Sequence, residues 1–484
     1  MIINNVYGNI VPAYKTKISE MTFNHYAKKN KHDPNNWPEL TTVPYKNGFD
    51  DFGLMSVIEK TGDTPIQSIN EKKGILLGTM RMGFGHYRMS LALASVAKHL
   101  GYTPYWFDML SFKDTPAGKT IRQLEHWYNL GSRISQNSKF FNDAIWENIT
   151  SAAGQNISSS VQNAIISQIF APLFHDLPKN MPFLSTHPWA GHGAVQAGLS
   201  NIITIIPDNY PLAFHVVEGT VHAVQTPSKY MGYRTLFRMG NKTQINNCMP
   251  ASDIFEAGHY IDHEIRYNID YDCDMRKKRI ADKKARRFLL TMGGAGAQIQ
   301  KFADLLNITR DAIEEKKAMF FINMGDHVGR WNELRKKLQQ SGIEWTMHTD
   351  WKSTKEFIKA GEKDTLSGVH VFLHEDFYAA VYTTNLLMRI SDVMITKPSE
   401  LSFYPVPKLF IHRVGRHEAW GAICSSECGD GTIETTSVTG LYRTLGTLIN
   451  DSDILELYCS HITKNAKIGI YDGAYNSVKR AIGK

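Results

Sequence analysis

No apolar run in this 484-residue chain approaches the ~18 residues needed to cross a bilayer. Cysteine is scarce. The five present are an odd number and widely scattered, which argues against a disulfide framework and fits a reducing compartment. Cys424 and Cys428 make a single C-x3-C with no second pair, so no metal site is expected. The opening MIINNVYGNIVPAYK lacks the charged-then-apolar layout of a secretion signal. A cytoplasmic protein is the expectation, with peripheral contact to a membrane left open. Charge of one sign is also lacking: 54 Lys+Arg against 47 Asp+Glu leave +7. That permits an anionic surface or a phosphorylated substrate and does not call for nucleic acid. The basic run from Arg276 to Arg287 reads as the solvated face of a helix or linker. Neither a Gly-Lys-Ser/Thr phosphate loop nor a strict Gly-x-Gly-x-x-Gly occurs at the glycine clusters, which argues against a P-loop kinase and a dehydrogenase.

What is there is repeated α/β order. Gly74–Thr79 reads as a buried strand, and Leu93, Ala94, Ala97 and Leu100 share one face of a following helix. Between them lies a loop with Gly83, Gly85 and His86. Glycines let a ligand approach the backbone, a helix start offers free N–H groups to an anion, and a histidine there can take a proton from a hydroxyl. A plain strand–helix turn with a surface histidine is the competing reading. Strands are predicted over 102–107, 181–186, 201–206 and 220–226, and a core helix over 158–173. Polar residues gather just past the strand ends: His86, His187, Asp208 and His215. Open parallel sheets bind ligands at that edge.

The alternation restarts after residues 271–285, which read as the linker. Strands are expected over 287–292, 318–323, 369–373, 392–396 and 408–412. The first leads into Gly293-Gly294-Ala295-Gly296, a second loop able to hold a diphosphate on backbone N–H groups. The fourth delivers Thr396, Lys397, Ser399 and Glu400, and the fifth leads to Arg416, His417 and Glu418. A carboxylate such as Glu400 can bind ribose hydroxyls, while Lys397, Arg416 and His417 can neutralise phosphate. An ordinary surface loop with ion pairs is the alternative. The fold class read from this order is α/β, with two Rossmann-like domains facing across a cleft. Residues 1–70 form an N-terminal extension, 71–270 and 286–450 the two domains, and 451–484 C-terminal helices that could pack back on the first.

In this order the motifs resemble the GT-B glycosyltransferases. The branch is the one holding the lipid-II-forming N-acetylglucosaminyltransferase and the glycosyl diacylglycerol synthases. The resemblance runs through Phe84-Gly85-His86, His187-Pro188, Asp208, Pro227-Ser228, Met292-Gly293-Gly294, Asp392 through Thr396-Lys397, and Gly415, His417 and Glu418. It implies an inverting, metal-independent transferase with no cofactor, using a nucleotide-sugar (a UDP-sugar) as co-substrate and a lipid or glycan hydroxyl as acceptor. His86 would be the base or orienter. Gly85, Arg88, His187, Asp208 and His215 would line the acceptor side. Gly293, Gly294, Gly296, Thr396, Lys397, Ser399, Glu400, Arg416, His417 and Glu418 would hold the donor. One departure stands out. Thr396-Lys397 reaches Val406-Pro407 with most of the family's ribose-binding helix missing, leaving Glu400 to supply that carboxylate. A sugar-nucleotide epimerase and a GT-B-derived scaffold without donor chemistry are the rival expectations.

Overall fold

A computed structural model describes residues 3–45, 52–62, 64, 67–81, 83–124, 155–240, 244–293, 298–363, 366–413 and 418–483. The chain opens with a small hairpin, β1 (Asn5–Val6) and β2 (Asn9–Ile10), and a helix over Ala13–Lys29. An eight-stranded sheet follows. Its strands are β3 (Leu40–Pro44), β4 (Met55–Glu59), β5 (Gly74–Thr79), β6 (Thr103–Asp108), β7 (Phe183–Ser185), β8 (Ile202–Ile205), β9 (Val221–Val224) and β10 (Ile254–Glu256). They lie in the order β10-β9-β8-β7-β5-β6-β4-β3. Only β3 runs antiparallel to its neighbour. The second sheet holds β11 (Arg286–Thr291), β12 (Ala318–Asn323), β13 (Thr346–His348), β14 (Val369–Phe372), β15 (Val393–Thr396) and β16 (Lys408–Phe410). Its order is β13-β14-β12-β11-β15-β16, all parallel.

Every residue of β5, β11 and β12 is buried. Helices cover both faces of a parallel sheet, so β5 and β12 read as continuous apolar runs rather than alternating ones. In each sheet the strand order reverses at one central strand: β6 and β7 flank β5, and β12 and β15 flank β11. Ligands of open α/β sheets bind at such reversals, beyond the carboxyl ends of the strands. The architecture is the two-domain α/β arrangement expected from the sequence.

Residues 1–70 enter the first domain, with β3 and β4 extending its sheet and the Ala13–Lys29 helix packing on the Ser158–Ile166 helix. Tyr45 then crosses to the second domain, donating to Asp376 Oδ2 at 2.5 Å and lying 4.0 Å, ring centre to ring centre, from Tyr378. The segment read as a linker is largely helix, Ile269–Ala281. Its basic run is solvated only at the lysines: Lys278, Lys283 and Lys284 are exposed. Arg276, Arg279, Arg286 and Arg287 are all buried. Arg279 pairs with the buried Asp392, and Arg287 donates to the Gly361 and Ile390 carbonyls. One hydrophobic cluster runs through both domains, joining Leu77, Leu91 and Trp106 to Leu289, Phe321 and Leu387. The last helix, Gly473–Ala481, packs against the Gly85–His99 helix and against β7 and β8.

Candidate functional site

On the first domain, the Gly85–His99 helix begins just beyond β5, so His86 sits at its first turn over the strand reversal. His86 Nδ1 lies 2.5 Å from the Thr186 carbonyl oxygen, the residue after β7. A carbonyl only accepts, so Nδ1 carries the proton and Nε2 keeps its lone pair. Burial lowers the His86 pKa to about 4, helped by the nearby His215. The ring is therefore neutral at physiological pH. His187 stands 4.9 Å away, ring centre to ring centre. It caps the Pro188–Gln196 helix by accepting from the Trp189 N–H, and burial holds its pKa well below the ordinary value. Asp208, beyond β8, lies 3.3 Å from His215 Nε2. The four polar residues expected past the strand ends are thus gathered at one edge.

The second domain faces this edge with its own strand ends. Thr396 Oγ1 accepts from Thr291 Oγ1 at 2.9 Å, tying β15 to β11 inside the core, where it offers a ligand nothing. Lys397 pairs with Glu418. Burial opposes the Lys397 ammonium, but Glu418 outweighs it and the pKa is raised, with smaller help from Glu400 and Asp208. That last influence reaches across from the first domain. His327 holds the loop beyond β11 through the Gly293 carbonyl, 3.1 Å from Nε2. Gly294, Gly296, Arg416 and His417 lie outside the described residues.

Glu400 does not stand free for a ribose. Its carboxylate reaches Arg88 of the first domain, Oε1 to Nε at 3.7 Å, and a side chain at Gly85 would touch it at 3.4 Å. Arg88 itself is not open to an acceptor. It is buried, donates to Asn385 Oδ1, and Asn385 in turn donates to Asp262 at 3.0 Å. Ser399 caps the short 3-10 turn Glu400–Phe403, which is all that lies between β15 and β16 beyond loop. The connection between β15 and β16 is therefore as short in the fold as the sequence shows it.

Sequence reasoning missed several residues here. Arg81 pairs with Asp326 across the cleft at 2.6 Å, and the Phe84 ring takes the space that a side chain at Gly325 would need. Lys229 is fully buried beside the strand-end edge, donating to the Ile206 carbonyl at 3.3 Å. Burial lowers its pKa to about 7, against the pull of Asp208 and Cys424. No local pattern marks such a lysine; only the third position of the helix capped by Thr226 hints that it turns inward.

Two family models match the chain, each described as a domain of unknown function: DUF6937 over residues 5–235 and DUF6938 over residues 249–482. No curated protein matches by sequence. Among solved structures the chain is similar to UDP-GlcNAc 2-epimerase from Neisseria meningitidis bound to UDP-GlcNAc. The identity is 12%, over 85% of this chain and 100% of that one, with a TM-score of 0.46. It is also similar to a putative UDP-N-acetylglucosamine 2-epimerase from Listeria monocytogenes (10%, 83% and 94%, 0.46). A third is the α,α-trehalose 6-phosphate synthase from Burkholderia multivorans (9%, 85% and 99%, 0.42). By sequence, then, this chain matches two adjoining families whose function is undescribed.

Proposed function

We propose that the chain is an inverting glycosyltransferase that moves a sugar from a UDP-sugar to a hydroxyl acceptor. One observation carries the reading: His86, neutral and with Nδ1 fixed on the Thr186 carbonyl, stands in the first turn of the helix that follows β5, over the strand reversal. The acceptor oxygen attacks the anomeric carbon, its proton passes to His86 Nε2, and the bond from that carbon to the diphosphate oxygen breaks. With a pKa near 4, His86 accepts the proton late, as the leaving group departs. Lys397, kept charged by Glu418, stands at the end of β15 to take the diphosphate charge. Asp208 and His215 would orient the acceptor.

A sugar-nucleotide epimerase needs acid–base groups flanking the sugar. Glu400 and Glu418 are each already paired with a cation, which favours transfer. The test is a panel of UDP-sugars with lipid and glycan alcohols, following UDP release. His86→Ala is expected to lower turnover at least about 100-fold while UDP still binds. A protein that binds and turns over no nucleotide-sugar would overturn the reading. Wild-type turnover undiminished in His86→Ala would remove His86 from it.

A further inference from the structure

Two cysteines far apart in the sequence meet between the domains. Cys273 lies on the Ile269–Ala281 helix, which leads out of the first domain. Cys459 lies on the Asp453–Lys467 helix, which leads to the last helix and back to it. The two helices pack directly together, which brings the two thiols beside one another. Both are 0% exposed.

Beside them sits Arg276, also buried. It donates to the Ser391 and Met388 carbonyls at 2.9 and 2.8 Å, and its third nitrogen points at Cys273 Sγ, 3.7 Å away. Among the described residues no carboxylate forms an ion pair with Arg276, unlike its neighbour Arg279, which has Asp392. Asp272 and Asp392 act on Arg276 from nearby, and a buried guanidinium favours negative charge on the thiol it faces. The contact with Cys459 and the Arg276 charge hold the Cys273 thiol below its ordinary pKa, against burial, while Cys459 is pushed up. The Arg276 N–H that reaches Cys273 Sγ marks Cys273 as the attacking thiolate and Cys459 as the resolving thiol.

We propose that Cys273 and Cys459 are a reversible dithiol–disulfide pair that fastens together the two chain segments passing between the domains. With hydrogen peroxide as oxidant, the Cys273 thiolate attacks one peroxide oxygen. The O–O bond breaks, hydroxide leaves, and Cys273 becomes a sulfenic acid. The Cys459 sulfur then attacks that sulfur. The S–S bond forms, the sulfenic oxygen departs as water with the Cys459 proton, and the first hydroxide takes the proton lost by Cys273. The two thiols lose two electrons, and one peroxide becomes two waters. Burial sets the rate, because peroxide reaches the pair only as the helices open locally.

The folded full-length protein, with the exposed Cys248 changed to serine, is treated with stoichiometric hydrogen peroxide and digested without reductant. Mass spectrometry is expected to find the Cys273 and Cys459 peptides joined, two hydrogens lighter, and separated by dithiothreitol. The oxidised form should also melt higher, because the bond closes a long loop. In Cys459→Ser the sulfenic acid should persist at Cys273 and be captured by dimedone. Recovery of both cysteines as free thiols while Cys424 or Cys428 is oxidised would overturn the proposal, as would a disulfide joining either to another partner.

Discussion

The Arg88 side chain of the first domain lies 3.7 Å from the Glu400 carboxylate of the second, with 4% and 22% of the two side chains exposed. Removing the carboxylate leaves a buried guanidinium with Asn385 and the Val381 carbonyl as its hydrogen-bond partners among the described residues. Glu400→Ala is expected to cost about 2 kcal/mol, less than breaking a fully buried pair because Glu400 keeps some access to water. Urea unfolding measures it. If stability is unchanged, the pair contributes nothing to closure.

Asp392 stands in the strand motif that resembles a donor site, yet its carboxylate is spent inside the protein. It accepts from Arg279 at 2.7 and 2.9 Å and from the Arg287 backbone N–H at 2.9 Å. Asp392→Ala strands Arg279 and should cost about 3–5 kcal/mol. The loss should be visible in Tm with no ligand present.

Acid should unfold this protein early. His86, His187, His192, His222 and His259 are all buried with pKa values lowered by burial. Unfolded, each binds its proton near pH 6.5, so between that value and about 4 the unfolded chain holds more protons than the native one. Stability from these groups is complete above 6.5 and is lost as pH falls, at about 1.4 kcal/mol per pH unit for each histidine. Urea midpoints measured from pH 7.5 to 5 should drop steeply. A flat profile would show that these rings are not buried neutral.

Lys229 runs the other way in its consequence for design. Its pKa falls from 10.5 to about 7 on folding. Holding it therefore weighs against the fold near neutrality, and that weight lifts as pH rises toward 10.5. Lys229→Met should equal or exceed the wild type in Tm at pH 7, with any gain shrinking by pH 10. If Lys229→Met is strongly destabilised at pH 7, the ammonium has a partner of real strength.

Gly473 opens the last helix against the backbone of Gly258, whose φ is +91°. A Cβ at Gly473 would stand 2.0 Å from the Gly258 carbonyl oxygen. Gly473→Ala cannot be absorbed by a side-chain rotation and should cost about 3 kcal/mol. Limited proteolysis should then cut near residue 472 first.

The regular strands were legible because burial on both faces makes them apolar runs. The expected 74–79 and 318–323 coincide with β5 and β12. The gathering of His86, His187, Asp208 and His215 was legible too, because a parallel sheet puts all strand ends on one edge. Elements whose character comes from tertiary partners were not. The Ile269–Ala281 helix read as a linker because Arg276 and Arg279 look solvated until Ser391, Met388 and Asp392 close over them. Glu400 read as a ligand carboxylate because its partner, Arg88, lies 312 positions earlier in the sequence. Cys273 and Cys459 read as scattered for the same reason.

The hydrophobic cluster that joins Leu91 to Phe321 crosses the interval between residues 235 and 249, where one family model ends and the next begins. Cutting there would leave two pieces, each with an open apolar face that only the other fits. Neither half can be exchanged for a distant counterpart without repacking that face. A half expressed alone should therefore aggregate.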